Sequence, residues 1–172
     1  MNQNNQKLYE CPECHLKYRQ KEWAQKCKAW CKKHRSCNLE ITAHAVRVVL
    51  FACTENKKRS QMAEAIFNHI SKKAVATSAG TMPASAVEPR LDVILQEIGI
   101  AVPESLTPKK ITDEMLASAN YIISFGCLVP AMFPPEKFEE WQIADPQTDD
   151  ELRATRDELV KKIKTLIQKK NL

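Results

Sequence analysis

A cysteine and an arginine six positions apart could together bind and attack an oxyanion. Residues 48 to 67 read VVLFACTENKKRSQMAEAIF, so Cys53 ends an apolar run, and Arg59 and Ser60 stand where a helix is expected to begin. The amides of the intervening loop, the positive end of the helix and the Arg59 guanidinium would surround an anion. These groups would also lower the pKa of Cys53, and Ser60 could donate its hydroxyl to the thiolate. The pattern therefore predicts a cysteine nucleophile.

The loop after Cys53 contains no glycine, which excludes the glycine-rich type of phosphate loop. Asn56 is the residue there that best tolerates the left-handed backbone of a tight turn. The alternative interpretation of Cys53 is a small apolar side chain at the end of a buried strand. The residues expected to wrap the anion are Thr54, Glu55, Asn56, Lys57, Lys58 and Arg59.

A second group of reactive side chains lies near the start of the chain, where five of the seven cysteines occur in the first 37 residues. Cys11 and Cys14 form a C-x2-C pair. A helix is predicted over about residues 20 to 33, and on it Cys27 and Cys31 lie one turn apart on one face. Because four thiolates can converge on one tetrahedral ion and so short a segment needs a staple, we expect these cysteines to form a structural zinc site.

Other arrangements of these cysteines remain open. His34 or Cys37 could replace the fourth ligand, because both follow the helix directly. Cys27, Cys31 and Cys37 could instead form a three-thiolate site for a soft ion such as arsenite. The cysteines could also be buried without a ligand, although C-x2-C and C-x3-C spacings in one short segment favour a metal.

Charge divides the chain into two parts. Residues 1–44 contain nine Lys/Arg and four Asp/Glu, while residues 45–172 hold 17 of each. We therefore predict a cysteine-rich zinc module over residues 1–44 and a catalytic domain over residues 45–172. The sequence has no run of 18 apolar residues and no apolar start, which predicts a cytoplasmic protein with no membrane partner. A nucleic acid partner is not favoured, because the basic residues fit a solvated helix face and no aromatic residues interleave with them.

From residue 46 onward, short apolar runs alternate with amphipathic segments. This alternation predicts an α/β fold with a four-stranded parallel sheet covered by helices on both faces. Ligands in such folds bind at the carboxyl ends of the strands, which is where Cys53 lies. The predicted strands cover residues 46–52, 74–80, 121–126 and 138–144, and the predicted helices cover residues 60–73, 86–99, 112–120 and 148–170.

Several motifs follow the first strand in a characteristic order, namely C-x5-R-S, QMAEA, SAGT, ITDEML, YIISFGC and EEWQIADP. Their combination resembles the low-molecular-weight protein tyrosine phosphatase superfamily, in its arsenate reductase branch of the thioredoxin-coupled type. The likeness covers residues 46 to about 168. It is specific because the motifs occur together and in order, whereas C-x5-R alone arises by chance.

The resemblance implies roles for three residues of the predicted catalytic domain. Cys53 would attack the arsenic of arsenate, and Asp145 would be the general acid for the departing oxygen. Cys127 would then attack Cys53, releasing arsenite and leaving a Cys53–Cys127 disulfide. An external reductant, thioredoxin or a small thiol, would reopen this disulfide, and no organic cofactor is expected.

The resemblance also implies residues that order the anion loop. Asn56, Glu64 and Ser78 match positions that do so and that hold a potassium ion in some relatives. Lys109 stands where those relatives have an acidic ligand, so its ammonium is expected to replace the ion.

Two departures from the family pattern bear on function. Glu55 and Lys58 stand where many relatives have glycine and a further cysteine, and the third redox cysteine beyond Cys127 is missing. Cys37 is a hypothetical substitute for that third cysteine. A tyrosine phosphatase that hydrolyses phosphate monoesters through a phosphocysteine is the alternative function, because water could take the place of Cys127. A metal or oxyanion sensor is the second alternative.

Overall fold

The computed structural model describes residues 7–103 and 106–172, which fold into two units with separate cores. The first unit is built on a small antiparallel sheet whose strand order follows the chain. This sheet takes in two residues beyond the boundary expected at residue 44, because Ala45 pairs with Tyr18 and Val46 pairs with Lys17. Its strands are β1 (Tyr9–Glu10), β2 (Lys17–Tyr18) and β3 (Ala45–Val46).

Two helices complete the first unit, α1 (Lys21–His34) and α2 (Leu39–Thr42). The helix predicted over residues 20 to 33 is thus confirmed to within one residue at each end. α1 buries Cys27 and Cys31 on the face that packs toward the small sheet. It ends at Arg35, which adopts a left-handed backbone with φ 49°.

The parallel sheet of the second unit consists of β4 (Val48–Cys53), β5 (Val75–Gly80), β6 (Tyr121–Ser124) and β7 (Phe138–Glu140). The strands lie in the order β5-β4-β6-β7, and every neighbouring pair is parallel. All six residues of the central strand β4 are buried, which explains why its sequence is a continuous apolar run. The predicted four-stranded parallel sheet is confirmed.

The helices of the second unit are α3 (Arg59–Ile70), α4 (Arg90–Gln96), α5 (Asp113–Ser118) and α6 (Asp149–Lys170). Successive side chains of β4 point to opposite faces of the sheet. Phe51 therefore packs in the core formed with α3, α4 and α6, whereas Leu50 packs in the core beside α5. The prediction of helices on both faces is confirmed as well.

Every strand and helix of the second unit is shorter than the sequence predicts, and three of these differences have a clear position in the chain. The strand expected from residue 46 is interrupted at Arg47, because Val46 belongs to the small sheet. The helix expected over residues 86–99 is reduced to α4, because Pro89 disfavours helical backbone in the residue before it. β7 ends at Glu140, short of the predicted residue 144.

The long helix α6 carries charged residues along its exposed side, so its length alone does not make it a membrane span. Within residues 7–103 and 106–172, no helix combines the length and the apolar character needed to cross a bilayer.

Candidate active site

Cys53 lies at the carboxyl end of the central strand β4, where the chain turns toward α3. A pocket of about 320 Å³ opens at this point. Asn56 is fully buried, while the other loop residues expected to wrap the anion reach the pocket wall. The lining consists of Cys53, Thr54, Glu55, Lys57, Lys58, Arg59, Met82 and Asp145.

The carbonyl groups of the loop after β4 are bound by the segment that follows β5. Backbone amides of Thr81, Met82, Ala84 and Glu88 donate to the carbonyls of Cys53, Thr54, Glu55 and Lys57, respectively, over 2.8–3.3 Å. Because the two polar groups of a peptide unit point in opposite directions, the loop amides are left to face the pocket, which is the geometry of an anion-binding nest.

Gly80, the last residue of β5, allows this close approach. A Cβ atom at Gly80 would lie 2.5 Å from the carbonyl oxygen of Thr54 and 2.9 Å from the amide nitrogen of Asn56. Contacts of that length would push the loop away from β5. The glycine is therefore needed for the shape of the nest.

Asn56 is the centre of a hydrogen-bond network under the loop, and its own side-chain amide makes four hydrogen bonds. Its backbone has φ 49°, the left-handed conformation expected from the sequence. Its Nδ2 donates to Ser60 Oγ and Ser78 Oγ, each at 2.8 Å. Its Oδ1 accepts from the Lys109 amide at 2.8 Å and from Gln61 Nε2 at 3.1 Å. These four partners fix the orientation of the side-chain amide.

The network continues from Ser78 to a buried carboxylate. Ser78 Oγ accepts from Asn56, so its own proton is donated to Glu64 Oε2 at 2.6 Å. The Lys109 ammonium lies 3.5 Å from the same Glu64 oxygen. The structure thus brings together the four residues expected to order the loop, with a lysine cation beside the acidic group.

The Cys53 sulfur receives two hydrogen bonds. Ser60 Oγ lies 3.0 Å from Cys53 Sγ, and since that oxygen already accepts from Asn56, its proton is free to point to the sulfur. The Asn56 amide donates to the same sulfur at 3.1 Å. Both donors stabilise a thiolate once it forms.

Burial nevertheless has the largest effect on the pKa of Cys53. The side chain is 4% exposed, and burial raises the pKa of its thiol, although Ser60, the Asn56 amide and the Arg59 charge lower that pKa. The expectation of a lowered pKa is therefore wrong for this structure. The sequence does not reveal how completely the sulfur is enclosed.

Arg59 is engaged by groups other than the sulfur. Its Nη1 donates to the carbonyls of Phe125 and Ile143 at 3.1 and 2.7 Å, and its Nε lies 3.3 Å from Asp145 Oδ1. Asp145 Oδ2 accepts from the Lys58 ammonium at 2.8 Å. The predicted general acid is thus held between two cations at the rim of the pocket.

Cys127 lies in the loop after β6, the strand next to β4. The Thr54 hydroxyl donates to the Cys127 carbonyl at 3.4 Å, which ties this loop to the anion loop. The thiol is free and partly exposed, and its negative charge when ionised raises the pKa of Cys53. The structure therefore brings Cys127 into the neighbourhood of Cys53.

The cysteine cluster of the first unit could hold a metal ion. The Sγ atoms of Cys11, Cys14, Cys27 and Cys31 all lie within 4.8 Å of one another, with 3.5 Å between Cys14 and Cys27 and 3.9 Å between Cys27 and Cys31. Four thiolates about 2.3 Å from one tetrahedral ion would be about 3.8 Å apart. The four-cysteine set expected from the sequence therefore has the spacing of a tetrahedral site.

The thiols of this cluster need an ion in order to ionise together. Burial raises the pKa of Cys14 to about 12 and the pKa values of Cys27 and Cys31 to about 11. A bound metal ion displaces such protons, because thiolate is the ligand form of cysteine.

The alternative ligands lie outside the cluster. His34 stacks on Trp30 with 4.1 Å between the ring centroids, and Cys37 is exposed. Cys37 shares a cavity of about 390 Å³ with Cys14 and Cys31, so it borders the cluster without joining it. Cys37 is also absent from the lining of the anion pocket, so the structure gives no support to its substitution for a third redox cysteine.

Sequence reasoning missed two features of the site. Lys58 is expected from the sequence to help wrap the anion, but its ammonium donates to the Asp145 carboxylate and to the Pro146 carbonyl, each at 2.8 Å. His44, for which the sequence suggested no role, stacks on Trp23 with 3.6 Å between the ring centroids. Neither contact has a local signal, because each joins residues that are distant along the chain.

Comparisons with known proteins agree on one family. Residues 48–126 match the family model described as low molecular weight phosphotyrosine protein phosphatase. The arsenate reductase of Halalkalibacterium halodurans is 32% identical over 135 residues, which cover 71% of this chain and 96% of that protein. The glutaredoxin arsenate reductase of Synechocystis sp. is 29% identical over 130 residues, covering 72% of this chain and 98% of that protein.

A solved structure has the same fold. The thioredoxin-dependent arsenate reductase of Corynebacterium glutamicum superposes with a TM-score of 0.64 at 26% sequence identity, covering 87% of this chain and 72% of that chain.

Proposed function

Because this chain belongs to the low molecular weight phosphotyrosine protein phosphatase family, we propose that its anion pocket reduces arsenate. The family resemblance inferred from the motifs is confirmed, and both curated relatives described above are named as arsenate reductases. One observation carries the proposal. Cys53 lies at the floor of an anion loop whose carbonyls are bound elsewhere, and the loop of Cys127 is bonded to that anion loop.

The proposed reaction begins with arsenate in the loop, where inward amides and Arg59 bind its oxygens. The Cys53 thiol loses its proton to Asp145, which lines the pocket, and the resulting thiolate attacks arsenic and forms a sulfur–arsenic bond. Asp145 passes that proton to the departing hydroxide, which leaves as water, and Asp145 returns to its carboxylate form. Ser60 and the Asn56 amide stabilise the attacking sulfur through the hydrogen bonds described above.

The second step transfers two electrons to arsenic. The Cys127 thiolate attacks the Cys53 sulfur, so that a disulfide forms and the sulfur–arsenic bond breaks. The electron pair of the broken bond stays on arsenic, which leaves as arsenite. Both cysteines are oxidised in this step, and an external thiol reductant must supply two electrons to reduce them before another turnover.

The reductant is proposed from chemistry and from the names of relatives. Two of the relatives described above are named for a donor, namely a glutaredoxin arsenate reductase and a thioredoxin-dependent arsenate reductase. We propose that thioredoxin or a small thiol attacks the Cys53–Cys127 disulfide directly, because no third cysteine follows Cys127. A cytoplasmic location, in which such reductants are abundant, stays a prediction.

The four-cysteine cluster is proposed to hold a structural zinc ion. Its donor set is all sulfur and its spacing is that of a tetrahedral site, which is the arrangement zinc takes in structural sites. The small core around Tyr18 and Ala24 would gain its stability from this ion. Zinc takes no part in the arsenate chemistry described here.

Two assays with one variant test the proposed activity. Wild-type protein should consume thiol in an arsenate-dependent manner when coupled to thioredoxin or to glutathione with glutaredoxin. Cys127→Ser should abolish multiple-turnover arsenate reduction while leaving any hydrolysis of p-nitrophenyl phosphate intact, since the first chemical step needs only Cys53. The matched control is Cys37→Ser, which changes an exposed cysteine outside the pocket and should leave both activities unchanged.

Other outcomes would favour the alternatives. Hydrolysis of p-nitrophenyl phosphate without arsenate-dependent thiol consumption would identify a phosphatase. Lack of turnover in both assays, in protein that still binds phosphate, would favour an oxyanion sensor. Loss of both activities in Cys127→Ser would mean that Cys127 is structural.

A further inference from the structure

Lys58 is the most buried of the charged residues that line the anion pocket, with 9% of its surface exposed. Its ammonium donates to Asp145 Oδ2 and to the Pro146 carbonyl, each at 2.8 Å. These partners stand 87 and 88 residues further along the chain, so one side chain joins the anion loop to the loop before α6. A lysine is not needed at this position for the amides of the nest, which suggests that its side chain has a separate purpose.

Asp145 has two cationic neighbours in the structure. Lys58 Nζ lies 2.8 Å from Oδ2, and Arg59 Nε lies 3.3 Å from Oδ1. A bound oxyanion requires the Arg59 guanidinium and carries charge of the same sign as Asp145. The oxyanion and Asp145 therefore compete for Arg59. Whether Arg59 binds the oxyanion or Asp145 depends on whether Asp145 keeps another cationic partner when Arg59 turns to the anion.

We propose that Lys58 is a positioning residue that retains Asp145, so that Arg59 is released to bind the oxyanion. The ammonium is fixed by a carboxylate and a carbonyl at once, and it therefore stays with Asp145 when Arg59 moves. It also neutralises a carboxylate that would otherwise repel the anion at the pocket rim. Gln147 Nε2, a neutral donor 2.7 Å from Asp145 Oδ2, cannot supply this charge.

The inference deepens the proposed function, since it concerns the same pocket, but it is a statement about binding and needs no turnover. Inorganic phosphate is a suitable probe because it has the shape and charge of arsenate and is not reduced. Titration of phosphate into the full-length protein by calorimetry therefore tests Lys58 even if the arsenate reductase assignment fails.

The experiment is a double-mutant cycle on Lys58 and Asp145. Lys58→Met should weaken phosphate binding by about tenfold, the size expected when an opposing charge near an anion loses its partner. Lys58→Met combined with Asp145→Asn should return the affinity to within about threefold of wild type, because the competing carboxylate is gone. Lys58→Arg should rescue much of the affinity. Lys161→Met, which removes a positive charge from an exposed position of α6, is the matched control and should bind phosphate as wild type does.

Two results with the Lys58 variants would overturn the proposal. If the double variant binds phosphate as weakly as Lys58→Met, then Lys58 acts on the anion directly and not through Asp145. Unchanged affinity in Lys58→Met would show that Arg59 is released without help.

Should Lys58→Met not fold, Asp145→Asn alone decides the matter: the proposal expects unchanged or tighter phosphate binding, and weaker binding contradicts it. In turnover assays Lys58→Met should raise the KM for arsenate more than it lowers kcat, a division that general loss of structure would not produce.

Discussion

Replacing Asn56 by alanine should lower the free energy of unfolding more than replacing any other side chain of the anion loop. Asn56 has no exposed surface, and its side chain makes four hydrogen bonds, to Ser60, Ser78, Gln61 and the Lys109 amide. Gln61 keeps its bond to the Asn56 carbonyl in the variant, but the Lys109 amide loses the acceptor it has in the wild type. The loss therefore includes a backbone donor without its partner, as well as the hydrogen bonds themselves.

The expected cost follows from these contacts. Each neutral hydrogen bond contributes about 1 kcal/mol net, so four contribute about 4 kcal/mol to the free energy of unfolding. Alanine at the left-handed backbone of this position costs about 1 kcal/mol more. The total of about 5 kcal/mol is a large share of the roughly 5–15 kcal/mol by which a typical domain is stable. With a urea dependence of about 2 kcal/mol/M, the unfolding midpoint should fall by about 2.5 M.

Asn171 offers a matched control for the backbone part of this cost. It has φ 52°, almost the same as the 49° of Asn56, but it is exposed at the end of α6 and its side chain makes only an exposed bond to Lys73 among the described contacts. Asn171→Ala should cost about 1 kcal/mol. Urea unfolding followed by circular dichroism compares the two variants. Equal losses in Asn56→Ala and Asn171→Ala would refute the idea that the buried network holds the loop.

Two further predictions concern Cys53 and the metal site. Ser60→Ala removes a hydroxyl that lowers the pKa of Cys53, so that pKa should rise further. The pH profile of Cys53 alkylation by iodoacetamide, measured in a Cys127→Ser background, should therefore move to higher pH. An unmoved profile would contradict the hydrogen bond from Ser60. Wild-type protein should contain about one zinc per chain, and Cys27→Ser should lose it and change the fluorescence of Trp23 without weakening phosphate binding. Full zinc content in that variant would contradict the four-sulfur site.

Local pattern was enough to predict the positions of the strands and most helices. β4 is apolar throughout and β6 is apolar except for Ser124, so burial on both faces could be predicted from composition. Thr148 precedes helix α6 and forms a capping box with Glu151, a signal contained in four residues. The four cysteines of the cluster could likewise be grouped from two short spacings, because helix geometry fixes where Cys27 and Cys31 point.

Features that depend on distant pairing could not be predicted in the same way. Val46 has the composition of a strand, but nothing local says that it pairs with Lys17 rather than extending β4. The carbonyls of the anion loop point away from the pocket because they accept hydrogen bonds from residues 81–88. The path of those residues is set by the packing of β5 beside β4. The raised pKa of Cys53 follows from the burial of its side chain by residues that are distant along the chain, which a single sequence does not report.

Arg47 is the single residue of the chain between the last strand of the small sheet and the first strand of the large one. Its guanidinium donates to the carbonyl of Lys170 near the end of α6. A one-residue connection gives the cysteine-rich unit no freedom to swing as a tethered arm. The cysteine-rich unit therefore lies at a fixed position at the amino end of β4, while the oxyanion pocket lies at the carboxyl end of the same strand. Coupling between the metal site and the pocket would have to cross the length of β4 or the elements packed beside it, or be carried by another molecule that contacts both.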